Sequence, residues 1–233
     1  MVLTWSKQFS LCSIEQGSTI QGTISDEIMR SNRTIMGEGE WYEIFNFKLR
    51  FNFRQFRTTK NRFHVITGEN TVVRKVTTTA PCNYYGFKEF KTILRGFKTI
   101  LRGLAHPMYS VDVYGAMVCV GQLEEVGEPG GPMKPKMVFS LVNPGYKHLK
   151  CVAYGNNAPE IDAYWNSTRA NVVLCVLSFW QIERGQGRLT WIKNIEGCSK
   201  IEFEPNIPQI QSLRQLIPGI EKDKKQQSKD RSF

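Results

Sequence analysis

The sequence predicts a mainly all-β protein: two tandem five-stranded barrels joined by a short helical linker. Three observations predict it. From Met137 to Leu216 the chain reads strand, strand, helix, strand, strand. A similar order occupies the first third of the chain, from Phe9 to Ile66. Between the two lies a segment, Thr77 to Pro107, whose apolar residues Phe87, Phe90, Ile93 and Leu94 have helical rather than strand spacing. Strand–strand–helix–strand–strand behind a long opening strand is the order of the OB fold, a partly open barrel that binds oligonucleotides or oligosaccharides.

In the first half (residues 1–78), Phe9 to Ile14 and Thr19 to Ile24 read as strands joined at Gln16 and Gly17. Asp26 to Met36 reads as a helix, capped by Ser25 or Asp26 and ended by Gly37 and Gly39. Trp41 to Phe53 is a long strand and Thr58 to Ile66 another. Only Met1 to Gln8 is left for the opening strand, so this barrel is expected to begin with a shortened one. The linker (79–107) carries a perfect tandem heptapeptide, FKTILRG at Phe90 to Gly96 and again at Phe97 to Gly103. Two copies are too few for a coiled coil, and a short amphipathic helix is expected instead.

The second half (108–218) opens with Ser110 to Glu124, where Gly115 allows a bend that serves both sides of a barrel. Glu125 to Lys136, rich in Gly and Pro, reads as a mobile loop. Strands follow at Met137 to Val142 and Leu149 to Tyr154, a helix at Ala158 to Asn166, and strands at Val172 to Glu183 and Arg188 to Asn194. Gly185, Gln186 and Gly187 make the hairpin turn between the last two. The polar, lysine-rich tail (219–233) reads as disordered.

The 233 residues carry a net charge of +10 and 12% aromatics, a combination that suits a polyanion presenting flat rings. The six cysteines form no C-x-x-C pair and the three histidines are scattered, which argues against a zinc site. Cys119 and Cys175, each between apolar residues, read as buried reduced thiols and point to an intracellular compartment. No signal peptide or membrane span is legible, so Asn32 and Asn166, each in an N-x-T context ending at Thr34 and Thr168, are read as chance. No catalytic motif appears; the expectation is a non-enzyme without cofactor or metal.

Basic and aromatic residues interleave twice. In Lys48 to Arg62, alternation puts Lys48, Arg50 and Asn52 on one face and Leu49, Phe51 and Phe53 on the other. Phe51 and Phe53 are assigned to the core. Phe56, flanked by Arg54 and Arg57 with Lys60 beyond, is assigned to an exposed stacking position. In the second half the candidates are Tyr154, Arg184, Arg188, Trp191 and Lys193, with Lys134 and Lys136 on the neighbouring segment. Trp180 reads as core, while Trp191 stays open between core and face. Rings would stack bases and cations would neutralise phosphates.

These segments resemble the large DNA-binding subunit of the replication protein A family in its plant-type form. The resemblance rests on Val111 to Gly115, Cys151 to Gly155, Ala163 to Asn166, Glu204 to Pro208, Phe90 to Ile93, Gly39 to Ile44 and Phe56 to Phe63. It implies single-stranded DNA binding (with RNA possible), roles in replication, recombination and repair, and a nuclear location. It also implies a pair of stacking rings per domain. Phe56 matches one of the first pair, and its partner falls on Ser25, which has no ring. Tyr154 replaces a family Trp, and Trp191 stands in for a last ring without clear equivalent. Arg50 matches a phosphate-contacting position, where Gln21 replaces another. The family's zinc-bearing assembly domain has no counterpart here, which weighs against association with the other subunits of a heterotrimer. Two alternatives remain open: an OB module that binds protein, and a degenerate, transposon-derived copy with weak nucleic-acid binding.

Overall fold

The computed structural model describes residues 2–4, 11–14, 19–24, 40–53, 56–77, 85–95, 100, 105–127, 132–170 and 172–216. The expected helix Asp26 to Met36, Ser25, Arg54, most of the second FKTILRG copy and the tail lie outside them. The chain divides into two compact units: Met1–Tyr85 with Met108–Ser110, and Gly86–Pro107 with Val111–Phe233.

The first unit holds β1 (Val2–Thr4), β2 (Leu11–Ile14), β3 (Thr19–Thr23), β4 (Trp41–Phe45), β5 (Lys48–Phe51), β6 (Phe63–Ile66) and β7 (Val72–Val76). Its sheet runs β5-β6-β3-β2-β1-β4-β7, with β3 and β6 parallel. The long strand expected at Trp41 to Phe53 is broken at Asn46, whose φ of 56° is a left-handed conformation that Asn tolerates. The bend lets one run of chain serve two partners: β4 pairs with β1, and β5 with β6. The opening strand is short but complete in its task. Leu3 pairs with Ile14 on one side and Tyr42 on the other. Among the described residues, Ile20, Ile44 and Val65 are buried together in its core, with Phe47 and Val73 packed on them. Phe51 and Phe53, expected there, are instead exposed. β5 has no buried residue on either face, so its alternation does not mark an inside.

The second unit starts with α1 (Phe90–Leu94) and continues through β8 (Ser110–Val118), β9 (Glu124–Val126), β10 (Lys134–Val142), β11 (His148–Tyr154), α2 (Asn157–Ser167), β12 (Val173–Arg184), β13 (Thr190–Lys193), β14 (Lys200–Phe203) and α3 (Pro208–Leu216). Strand β11 pairs with β10 and with β13, β13 with β12, β12 with β8 and β8 with β10, which closes a five-stranded barrel. The β11–β13 pairing is parallel and brings Cys151 opposite Ile192. Within the barrel Trp180, Phe139, Leu141, Leu149, Cys151 and Ile192 are buried, and the Trp180 ring meets Phe139 edge-on at 5.9 Å. The indole Nε1 of Trp180 donates to the Lys200 carbonyl at 3.1 Å, so the ring is buried without a lost hydrogen bond.

Gly115 earns its place by close approach. A Cβ there would stand 2.8 Å from the Val142 carbonyl, inside van der Waals contact. The helix α1 is no free linker, because Phe90 and Ile93 are buried in this unit's core. The expected opening strand stops at Val118, and Cys119, with φ of 50°, is exposed rather than buried. Part of the expected mobile loop is β9, which pairs Glu124 with Lys136.

Candidate nucleic-acid interface

Strand register assembles the face of the second barrel. Along β11, Leu149, Cys151 and Ala153 are buried, so the alternate residue Tyr154 turns outward and is half-buried. Along β13, Ile192 is buried and its neighbours Trp191 and Lys193 face out. Lys136 sits directly opposite Tyr154, and Val152 opposite Lys193. In this register Trp191 lies opposite Lys150, so the two rings stand about 13 Å apart along the strands. Each ring would therefore meet a different base.

Asn194 holds Tyr154 in place. Its Oδ1 accepts from the Tyr154 amide at 2.7 Å, and its Nδ2 donates to the Tyr154 carbonyl at 2.9 Å and to Asn157 Oδ1 at 2.8 Å. A buried side chain thus completes the ladder where β13 has ended. The sequence reading took Asn194 as the last residue of a strand and gave it no part in the site; the strand ends one residue earlier, at Lys193. The Trp191 indole lies against the turn. A Cβ on Gly185 would stand 2.8 Å from its Cζ3, so the absent side chain at Gly185 is what admits the ring. The turn itself is the 3₁₀ segment Gln186–Arg188, with Gly187 at a φ of 67°. Arg188 sits in it.

The cations of this face carry internal counter-charges. Lys134 pairs with Glu196 at 2.9 Å, Lys136 with Glu124 at 3.4 Å and Lys193 with Glu183 at 2.6 Å. A phosphate would compete with these carboxylates. Arg184 shares its side of β12 with buried Trp180 and Ile182, away from Trp191. Its Nε and Nη2 are shielded from solvent and unpartnered, and burial lowers its pKa.

In the first unit the register sets Arg50 opposite His64 and Phe51 opposite Phe63. Arg50 and Lys60 are exposed. Phe56 is half-buried, in a segment pinned by its neighbours: the Arg57 amide donates to the Met108 carbonyl at 2.8 Å, and Ser110 Oγ to the Thr58 carbonyl at 2.7 Å. Gln21 is buried, and its Oε1 accepts from Asn52 Nδ2 at 3.2 Å. It braces the sheet and offers nothing to a ligand.

A strand order of this kind, closed by a parallel pairing of third and fifth strands with a helix before the fourth, has counterparts among solved structures. The chain is similar to one in a structure described as a replication protein A heterotrimer bound to ssDNA, with a TM-score of 0.60 and 17% identity over 92% of this chain and 48% of that one. The fold is the tandem OB fold. At this identity the likeness is one of fold alone, and the chain spans about half the length of the one it matches. A structure of fission yeast Pot1 with ssDNA aligns over 92% of this chain and 82% of its own at 6% identity, but its TM-score of 0.33 is too low to bear on the fold. Residues 4–96 match the family described as domain of unknown function DUF223, which takes in most of the first unit and α1. No curated relative matches.

On the OB barrels, then, the sequence-derived candidates form two groups. Lys136, Tyr154, Trp191 and Lys193 share one sheet face of the second barrel, with Lys134 at the start of β10. Arg50, Phe56, Arg57 and Lys60 lie along the β5–β6 hairpin of the first. Among the described residues, no three His, Cys, Asp or Glu side chains cluster to hold a metal, and no helix is long and apolar enough to cross a membrane.

Proposed function

We propose that this chain is a non-enzymatic single-stranded DNA-binding protein of the replication protein A type, acting in the nucleus in replication, recombination and repair. The observation that carries the reading is the outward face of the second OB barrel. Two rings, Tyr154 and Trp191, stand on adjacent strands with Lys136 and Lys193 beside them, and Asn194 fixes the first ring's backbone on both sides. Rings about 13 Å apart along the strands stack separate, non-adjacent bases of an extended unpaired strand, which a duplex keeps inside its own stack. Lysines already paired with carboxylates add less electrostatic affinity than free ones, so stacking supplies most of the second barrel's share.

The test is a titration of the whole chain into a fluorescent single strand of about 8–16 nucleotides, the span of one or two OB domains. Duplex of the same sequence and single-stranded RNA are run beside it. Binding at low salt that weakens steeply as salt rises is expected, with duplex well behind. Absence of binding at low salt, or equal affinity for duplex, overturns the proposal.

A further inference from the structure

We propose that Glu124, Glu183 and Glu196 are specificity-determining residues of the second barrel: they cancel the charge of its ring-bearing face, so that the face accepts an unpaired strand and turns a duplex away. The inference rests on the strand-binding reading above and deepens it. Register places the carboxylates around the rings. Glu183 on β12 stands directly opposite Trp191. Glu124 on β9 stands opposite Lys136, which in turn stands opposite Tyr154. Glu196 closes a further side: a Cβ on Gly155, the residue after Tyr154, would lie 3.3 Å from the Glu196 Cδ. Each carboxylate holds one lysine of the face, with Lys193–Glu183 at 2.6 Å, Lys134–Glu196 at 2.9 Å and Lys136–Glu124 at 3.4 Å.

Stability does not account for these pairs. All six side chains keep contact with solvent, where an ion pair is screened and contributes little to folding. Their effect is on what the face attracts. Three lysines against three glutamates leave no net charge, in a chain whose own net charge is +10. Lys150, exposed opposite Trp191, is the lysine of this face that has no ion pair among the described residues. Two ligands feel such a frame differently. A duplex is stiff over about 50 nm and carries its charge on the outside, one per about 1.7 Å of axis. It brings phosphates against the carboxylates and offers the rings nothing. A single strand is flexible, so it lays bases on Tyr154 and Trp191 while its phosphates turn away from Glu183 and Glu196. Repulsion built against the wrong ligand raises the preference for the right one without any new contact.

The experiment titrates the full chain with a fluorescent oligodeoxythymidine of about 16 nucleotides and with a duplex of the same length. Wild type is compared with the double variant Glu183→Gln/Glu196→Gln and with Glu183→Gln alone. In the double variant duplex affinity should rise on the order of tenfold and single-strand affinity by less than about threefold, so the preference for the single strand falls. Glu183→Gln alone should move the ratio the same way by a smaller factor. The melting temperature should stay at the wild-type value, since the pairs are exposed; should the double variant fail to melt cooperatively, the single variant decides. A wild-type ratio in the variants, or equal gains on both ligands, overturns the inference and leaves strand binding standing. Weaker single-strand binding in the variants shows that the carboxylates position the lysines for the strand, and overturns it likewise. If the wild type binds no single strand, or binds duplex equally well, the strand-binding reading and this inference fall together.

Discussion

A single amide and a single carboxylate do much of the positioning in the second barrel. Asn194 supplies both a donor and an acceptor to the backbone of Tyr154. Asn194→Ala leaves two partly buried backbone groups unpaired and should cost about 1–3 kcal/mol, read by urea denaturation. It should also weaken strand binding more than its distance from the surface implies. Asp112 plays the matching part on β8. Its Oδ1 accepts from the Phe179 amide at 2.9 Å and its Oδ2 from the Gly86 amide at 2.8 Å. Phe179 has a φ of 60°, a left-handed conformation costly for an aromatic residue, and this bond helps hold it. Desolvation raises the Asp112 pKa, outweighing those two hydrogen bonds and the nearby Lys88. A carboxyl whose folded pKa is raised contributes most stability below its unfolded value and loses it as pH rises through the folded one. Relative to Asp112→Asn, the wild type should therefore lose stability as pH climbs from about 4 through the raised pKa, in paired melts across that range. A difference that grows in the opposite sense would overturn this account. Neither role was legible in the sequence, because each depends on which backbone the fold brings alongside. The burial of Trp180 was legible, since it ends a run from Val172 that is apolar but for Ser178.

At the scale of elements, the strands with one buried face were read closely. β11, expected at Leu149 to Tyr154, gains only His148; α2, expected at Ala158 to Asn166, gains one residue at each end. Their cores enforce the alternation that the sequence displays. β5 was misread for the opposite reason. It alternates basic and apolar residues as a half-buried strand does, yet all of its residues are exposed. β9 and β14 are three and four residues long and carry too little pattern to announce themselves. The β12–β13 hairpin offers a direct check on how a turn sets a ring. In Gly185→Ala the new methyl would meet the Trp191 indole at 2.8 Å, and the flexible ring, not the backbone, must give. The expected result is little change in unfolding free energy, a shift in Trp191 emission against a Trp191→Phe control, and weaker strand binding. Unaltered emission would show that the indole does not rest on the turn.

Across the whole molecule, charge is distributed unequally. The structure pairs Lys134, Lys136 and Lys193 internally, and leaves Lys48, Arg50 and Arg62 exposed on the first unit. Electrostatic binding should thus draw mainly on the first unit. Arg50→Ala and Arg62→Ala should each reduce the slope of log K against log salt by about 0.7. Lys134→Ala and Lys193→Ala should reduce it less, because each also frees a carboxylate. Equal slopes across the four variants would show that the internal pairs do not compete with phosphate.

The boundary between the units has a practical consequence for anyone wishing to take the protein apart. Gly86–Pro107 belongs with the second unit, yet Met108–Ser110, which follows it, belongs with the first. The chain crosses over and back before it finally departs. A fragment ending at Tyr85 forfeits the strap that clasps Arg57 and Thr58, and one beginning at Met108 forfeits the Phe90 and Ile93 side chains that plug its barrel. No single scissor cut yields two intact pieces, so cloning by the visible domain border produces one half with a loose hairpin and another with a hole.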